Sequence, residues 1–332
     1  MPDAPCLLDP GICGLHVVHG AFKSGFQSTS WQLDTILKSL FYLFNESPAR
    51  RADFIDVTGN SVFPLAFCGT RWVEDCKVAQ RAILIWDSVS SYIKKLQIVP
   101  KYKQPKCSSY TTICKAVEDP LSLAKLHMFV KVAKVVQPFL EHFQTDMPMS
   151  PFLDQEIGKI FLSLMECFIK KSVLSDHVST KSLIKIDLEN TGNFASPKNV
   201  TVGLAVKDAL LKANCSEEMV KDFKENCIQC YSKLLLKIKE RFSSDNLNFM
   251  QQLSSINPFY VINHPNSTIV RFENLLLTLT TKRFFLPEKC DNVLILYKKL
   301  VKRLKLEFKD ECLKFNSPTN CLRLDKFYLD IF

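Results

Sequence analysis

No apolar run in this 332-residue chain approaches the ~18 residues of a membrane span, so the pattern excludes a transmembrane helix. Positive charge is missing from the opening residues, Met1-Pro2-Asp3-Ala4-Pro5, where a secretory signal would carry it. There is no Gly-rich phosphate loop and no Gly-x-Ser-x-Gly turn to present a nucleophilic serine, which removes the best-marked nucleotide-binding and hydrolase classes. Strand-like alternation is scarce. A soluble intracellular protein, nuclear or cytoplasmic and without a membrane role, is the expectation.

What is present is globular in composition. Hydrophobic residues make up 47% and charged residues 23%, enough for one large or two ordinary domains with substantial cores. The thirteen cysteines are odd in number and irregularly spaced among ordinary core residues, which fits reduced thiols better than a disulfide framework. The sequons at Asn199, Asn214 and Asn266 are then chance matches. The net charge of +9 permits an anionic partner without requiring one, so its distribution matters more. Across residues 282–309, nine Lys or Arg face only Glu288, Asp291 and Glu307.

Helical periodicity dominates. After Thr29, with Gln32 placed to complete a capping box, Leu33, Ile36, Leu37, Leu40, Phe41 and Phe44 recur at i, i+3, i+4 spacing, predicting a helix that ends near Ser47-Pro48. After Ser216, Val220, Phe223, Cys227, Tyr231, Leu234 and Ile238 form another stripe behind an acidic first turn, Glu217-Glu218. Further helices are predicted near 72–86, 120–143 and 152–172, separated by Pro-containing breaks at 100–105 and 147–151. Over 291–309, Leu294, Tyr297, Val301, Leu304 and Phe308 line one side. Lys298, Lys299, Lys302, Arg303, Lys305 and Lys309 occupy the other half, a cationic face that is either solvated or a set of phosphate contacts. The best strand signal is Ile184-Lys185-Ile186-Asp187-Leu188, and the loop after it, with Gly192 and Pro197, is a plausible boundary. The expected class is mainly α with a few strands.

Few residues announce chemistry. Cys13 and His16 have the spacing of half a zinc site, and Cys227 with Cys230 could offer the other half. Both latter cysteines fall on or beside a buried helical stripe, where packing as small hydrophobes is the simpler reading. In Phe67-Cys68-Gly69-Thr70-Arg71-Trp72, Arg71 could pair with phosphate and Trp72 stack on a base. The alternative is an indole in the core with Arg71 paired to Glu74 or Asp75. The carboxylates, Asp9, Asp34, Asp53, Asp56, Glu74, Asp75, Asp310 and Glu311 among them, form no obvious catalytic set.

Three stretches nevertheless resemble hAT-superfamily DNA transposases and their domesticated relatives. They are Leu7-Leu8-Asp9-Pro10-Gly11-Ile12-Cys13-Gly14-Leu15-His16-Val17-Val18-His19-Gly20-Ala21-Phe22, Leu40-Phe41-Tyr42-Leu43-Phe44-Asn45-Glu46-Ser47-Pro48-Ala49-Arg50-Arg51, and Phe67-Cys68-Gly69-Thr70-Arg71-Trp72. Weaker similarity continues to Arg323-Leu324-Asp325-Lys326-Phe327-Tyr328. The resemblance implies a partial ribonuclease-H-like core interrupted by a large helical insertion domain. In that superfamily an Asp, Asp, Glu triad binds divalent metal, with two acids upstream of the Cys-x-x-His motif and the Glu in a C-terminal dimerisation segment. By resemblance, Cys13 and His16 flank the active site, and Trp72 matches a tryptophan that handles a flipped base.

Residues 1–100 are expected to hold the partial ribonuclease-H-like region, 101–180 a helical insertion, 181–202 a strand-containing segment and 203–332 a helical region. No residue here matches the triad, so the expectation is a truncated, inactive transposase derivative with no catalytic residue, metal or cofactor. Weak electrostatic binding of DNA is expected of it, as a monomer. The alternative is a helical module that binds a protein partner and has no nucleic-acid role.

Overall fold

The computed structural model describes residues 14–99, 101–175, 177, 179–241, 244–316 and 323–331. Among them there is no strand, only an isolated antiparallel bridge between Ile169 and Phe194. No described helix is long and apolar enough to cross a membrane. The chain is all-α where it is described, and no ribonuclease-H-like sheet is seen there.

The first half builds α1 (Gly14–Gln27), α2 (Leu33–Phe44), α3 (Pro48–Thr58), α4 (Cys76–Ile98), α5 (Ser108–Glu118), α6 (Ser122–Phe143) and α7 (Leu153–Met165). In α2 the expected stripe is real, with Leu33, Leu37, Leu40 and Phe44 buried. Its start differs from the predicted capping box. Gln32 takes a left-handed backbone (φ 48°) with no side-chain cap. The Thr29 hydroxyl instead donates to the Phe26 carbonyl at 2.7 Å. The far end is closed from α3, where Arg50 and Arg51 donate to the Leu43 and Phe44 carbonyls at 2.6 and 3.0 Å, satisfying acceptors the helix cannot pair internally. α4 runs well past its predicted end because Val89, Tyr92, Ile93 and Leu96 keep the buried period.

Next come α8 (Lys171–Leu174), α9 (Thr180–Lys185), α10 (Leu204–Lys212) and α11 (Glu217–Arg241). Two expectations fail here. The helix predicted near 152–172 stops at Met165, and a turn leads to the Ile169 bridge. The expected strand 184–188 is instead the end of α9, capped by Ser179, followed by irregular chain. Alternation identified the buried side chains Ile184, Ile186 and Leu188 but not a neighbouring strand. Their carbonyls are met by α11 side chains: Lys239 donates to Ile186 at 3.3 Å and Ser232 to Leu188 at 2.8 Å.

α1 lies along α11, and the approach is close at Gly25. A Cβ there would sit 2.9 Å from the Cys230 carbonyl and 3.0 Å from Leu234 Cβ, so only glycine lets the backbones meet. One core gathers side chains from Val17 to Met250, crossing positions 100, 180 and 202.

A second core is built largely by the last elements. After α12 (Ser244–Leu253), whose Leu247 and Met250 belong to the first core, these are α13 (Pro258–Asn263), α14 (Pro265–Thr281), α15 (Pro287–Glu307), α16 (Lys309–Leu313) and α17 (Leu324–Ile331). Met149 and Phe152 join Val261, Tyr297, Val301, Leu304, Phe315, Phe327 and Ile331 in it. Arg271 of α14 reaches Asp154 of α7 at 3.7 Å, tying the second core to the first.

Candidate nucleic-acid interface

Cys13 and Asp9 lie outside the described residues. His16 is exposed on α1. It lies nine residues from Gly25, about 13 Å along the helix, and Gly25 is where Cys230 meets α1. Cys227 and Cys230 are fully buried, and burial raises both thiol pKa values, so they pack as apolar residues. Among the described residues no three His, Cys, Asp or Glu side chains are placed to hold a metal ion.

The Arg71-Trp72 pair divides between surface and core. Trp72 is 2% exposed; its indole N–H donates to the Gly69 carbonyl at 3.0 Å and its ring packs edge-on against Phe67. That ring has no free face for a base. Arg71 is exposed and pairs with Glu74 at 3.5 Å. The loop is closed by Asp75, whose Oδ1 accepts from the Cys68 N–H at 2.8 Å. Its Oδ2 is buried without a partner, and burial raises the carboxyl pKa to about 7. Beside it, His19 is buried, accepts from the Val73 N–H at 3.5 Å and has a pKa lowered chiefly by burial. The sequence motif is therefore a packed corner.

The cationic segment is different. Tyr297, Val301 and Leu304 bury the apolar face of α15, leaving Lys298, Lys299, Lys302 and Lys305 exposed with no ion-pair partner among the described residues. At ~100° per residue, Lys298, Lys302 and Lys305 share one stripe while Lys299 lies round the helix. Arg303 is already engaged: it pairs with Glu307 at 2.8 Å, donates to the Ile331 carbonyl at 2.9 Å and covers the Phe308 ring. Lys309 belongs to α16, beyond the end of α15. Of the six predicted contacts, three are thus aligned and free.

Sequence reasoning missed the turn that starts this helix. α14 ends with Arg283 in left-handed backbone (φ 63°), the Arg283 N–H bonding to Thr280 O and the Phe284 N–H to Leu279 O, each at 2.9 Å. This is the paired hydrogen-bond pattern of a Schellman stop, with arginine where glycine is usual. Pro287 then begins α15. Between the helices Phe284, Phe285 and Leu286 are 45%, 40% and 59% exposed, flanked by exposed Lys282, Arg283 and Lys289. The available signal was Lys-Arg-Phe-Phe-Leu-Pro: cations, apolar residues, then a helix-starting proline.

No family model, curated protein or solved structure matches this chain.

Proposed function

We propose that the protein is a transposase-derived, non-enzymatic module that binds nucleic acid electrostatically along α15. The observation that carries this reading is the alignment of Lys298, Lys302 and Lys305 on one exposed side of a helix, none of them in an ion pair among the described residues. Some lysines elsewhere are neutralised, as in Lys38–Asp34, Lys212–Asp208 and Lys237–Glu240, so the alignment rather than the lack of a partner sets these three apart. A linear array of unpaired ammonium groups suits a linear polyanion.

The kinship itself rests on the three sequence stretches. An all-helical described chain is closer to the large insertion of a hAT transposase than to its ribonuclease-H-like sheet. Two-metal phosphoryl transfer needs carboxylates that fix cations about 3.5–4 Å apart. The non-enzymatic reading rests on the sequence, where no residue matches the Asp, Asp, Glu triad of that superfamily.

Fluorescence anisotropy against a labelled duplex tests the reading. Three phosphate contacts give a slope of log K against log salt of about −2.7. In K298E/K302E/K305E that slope moves towards zero with the thermal melt unchanged. Arg303 is left intact because it anchors α17. Salt-independent binding, or wild-type affinity in the triple variant, overturns the proposal.

A protein-binding role is the second reading, favoured by one feature. A groove of about 320 Å³ between α14 and α15 is lined by Ile256, Phe272, Val293, Leu296, Tyr297, Leu300 and Tyr328.

A further inference from the structure

We infer that the turn between α14 and α15 is a stacking platform for unpaired bases, so that the interface prefers single-stranded nucleic acid to duplex. The inference rests on the nucleic-acid reading above and goes beyond it by adding a contact to the bases.

The turn stands away from both cores, with every residue from Thr281 to Lys289 exposed. Side chains as large and apolar as Phe284 and Phe285 are ordinarily withdrawn from water. Here two aromatic rings and a leucine are displayed together on a turn that its own hydrogen bonds hold shut. Lys282, Arg283 and Lys289 flank them in sequence and are exposed, and the free lysines of α15 begin at Lys298, about 18 Å along the helix from Leu286. Rings offering π-faces beside cations that track a backbone are the two components that single-strand binding combines. From Leu286 to Lys305 along α15 is about 28 Å, the reach of roughly four to eight nucleotides.

The geometry favours this occupant over the other acidic surfaces that charge alone would allow. A helix that lies in a lipid interface buries its apolar face among the acyl chains. In α15, Tyr297, Val301 and Leu304 are already committed to the second core, and of the apolar residues left exposed, Leu306 is separated from Ile295 and Leu296 by Lys299, Lys302 and Arg303. An intact duplex keeps its bases stacked on one another, so only unpaired bases can use Phe284 and Phe285 without a deformation cost.

The test compares fluorescein-labelled oligothymidylate of 20 nucleotides with a 20-base-pair duplex, using the full chain over a series of KCl concentrations. The single strand is expected to bind at least tenfold tighter at 150 mM KCl. F284A/F285A is expected to weaken that binding by roughly 5- to 150-fold, the range for losing one stacked base, with the salt slope unchanged and duplex affinity held within twofold. F285W gives a direct readout: its fluorescence should be quenched by oligothymidylate, while the native Trp31, Trp72 and Trp86 are buried. Both Phe positions are half-exposed, so the Ala variant should melt like wild type.

Single-strand affinity within twofold of wild type in F284A/F285A overturns the stacking inference while leaving the phosphate reading standing. Absence of salt-dependent binding to either probe instead overturns the proposed function. Cosedimentation with phosphatidylserine–phosphatidylcholine vesicles that is lost in F284A/F285A, without oligothymidylate binding, assigns the turn to lipid and also overturns the inference.

Discussion

Asp75 sits where burial and hydrogen bonding pull in opposite directions. Its Cys68 N–H bond favours the carboxylate, but burial dominates and sets the pKa at about 7, with Glu74 adding to the rise and Lys77 and Lys38 opposing it. A folded-state pKa above the unfolded value means that the native protein holds the proton more tightly. The stabilisation is fully present below about pH 4 and is lost as pH rises through about 7. Asp75→Asn keeps an acceptor for Cys68 without the charge, so wild type should lose roughly 2–4 kcal/mol relative to D75N between pH 4 and pH 8. Urea melts of both proteins at the two pH values measure it. Parallel stability curves would remove Asp75 as the source. The neighbouring Trp72 teaches a related lesson: an Arg-Trp pair on a polar loop reads equally well as a ligand contact or a packed corner, and only the burial of the indole separates them.

Packing between elements gives a sharper contrast within one helix. Gly25 and Gly20 both lie in α1, but Gly25 faces the Cys230 carbonyl whereas a Cβ on Gly20 meets nothing within 4 Å. Gly25→Ala should cost about 1–3 kcal/mol by forcing α1 from α11. Gly20→Ala should stabilise by about 0.5–1 kcal/mol, because alanine loses less backbone freedom in a helix. Thermal melts of the two variants should therefore shift in opposite directions, and equal shifts would contradict the close approach. The helices themselves were legible because their apolar residues repeat with one period, as in α2, α11 and α15. The segment at 184–188 was not, since alternation reports burial and is silent on which group meets each carbonyl. Here that group is Ser232 or Lys239, more than forty residues away in sequence. Of the interface, the lysines could be read from helical spacing, whereas the exposed turn depends on where α14 stops. That stop uses Arg283 in left-handed backbone, which no glycine advertises.

Across the whole molecule, the second core is fastened to the first partly by charge. Asp154 is largely buried and one of its oxygens has no hydrogen-bond partner. Burial raises its pKa while Arg271 holds it down. Arg271→Ala leaves that carboxyl without its cation and should cost about 2–4 kcal/mol, short of a fully buried pair because both partners retain some solvent contact. Hydrogen exchange is expected to quicken in α13 to α17 more than in α1 to α6, and uniform acceleration would show that the two cores open together. Beyond this fastening, the hairpin of α14 and α15 carries its turn in finished form. A turn locked by two backbone hydrogen bonds loses little flexibility when a ligand arrives. For the proposed single-strand ligand the encounter would then require no folding step: the lysines would govern how often a strand arrives, and the rings how long it stays.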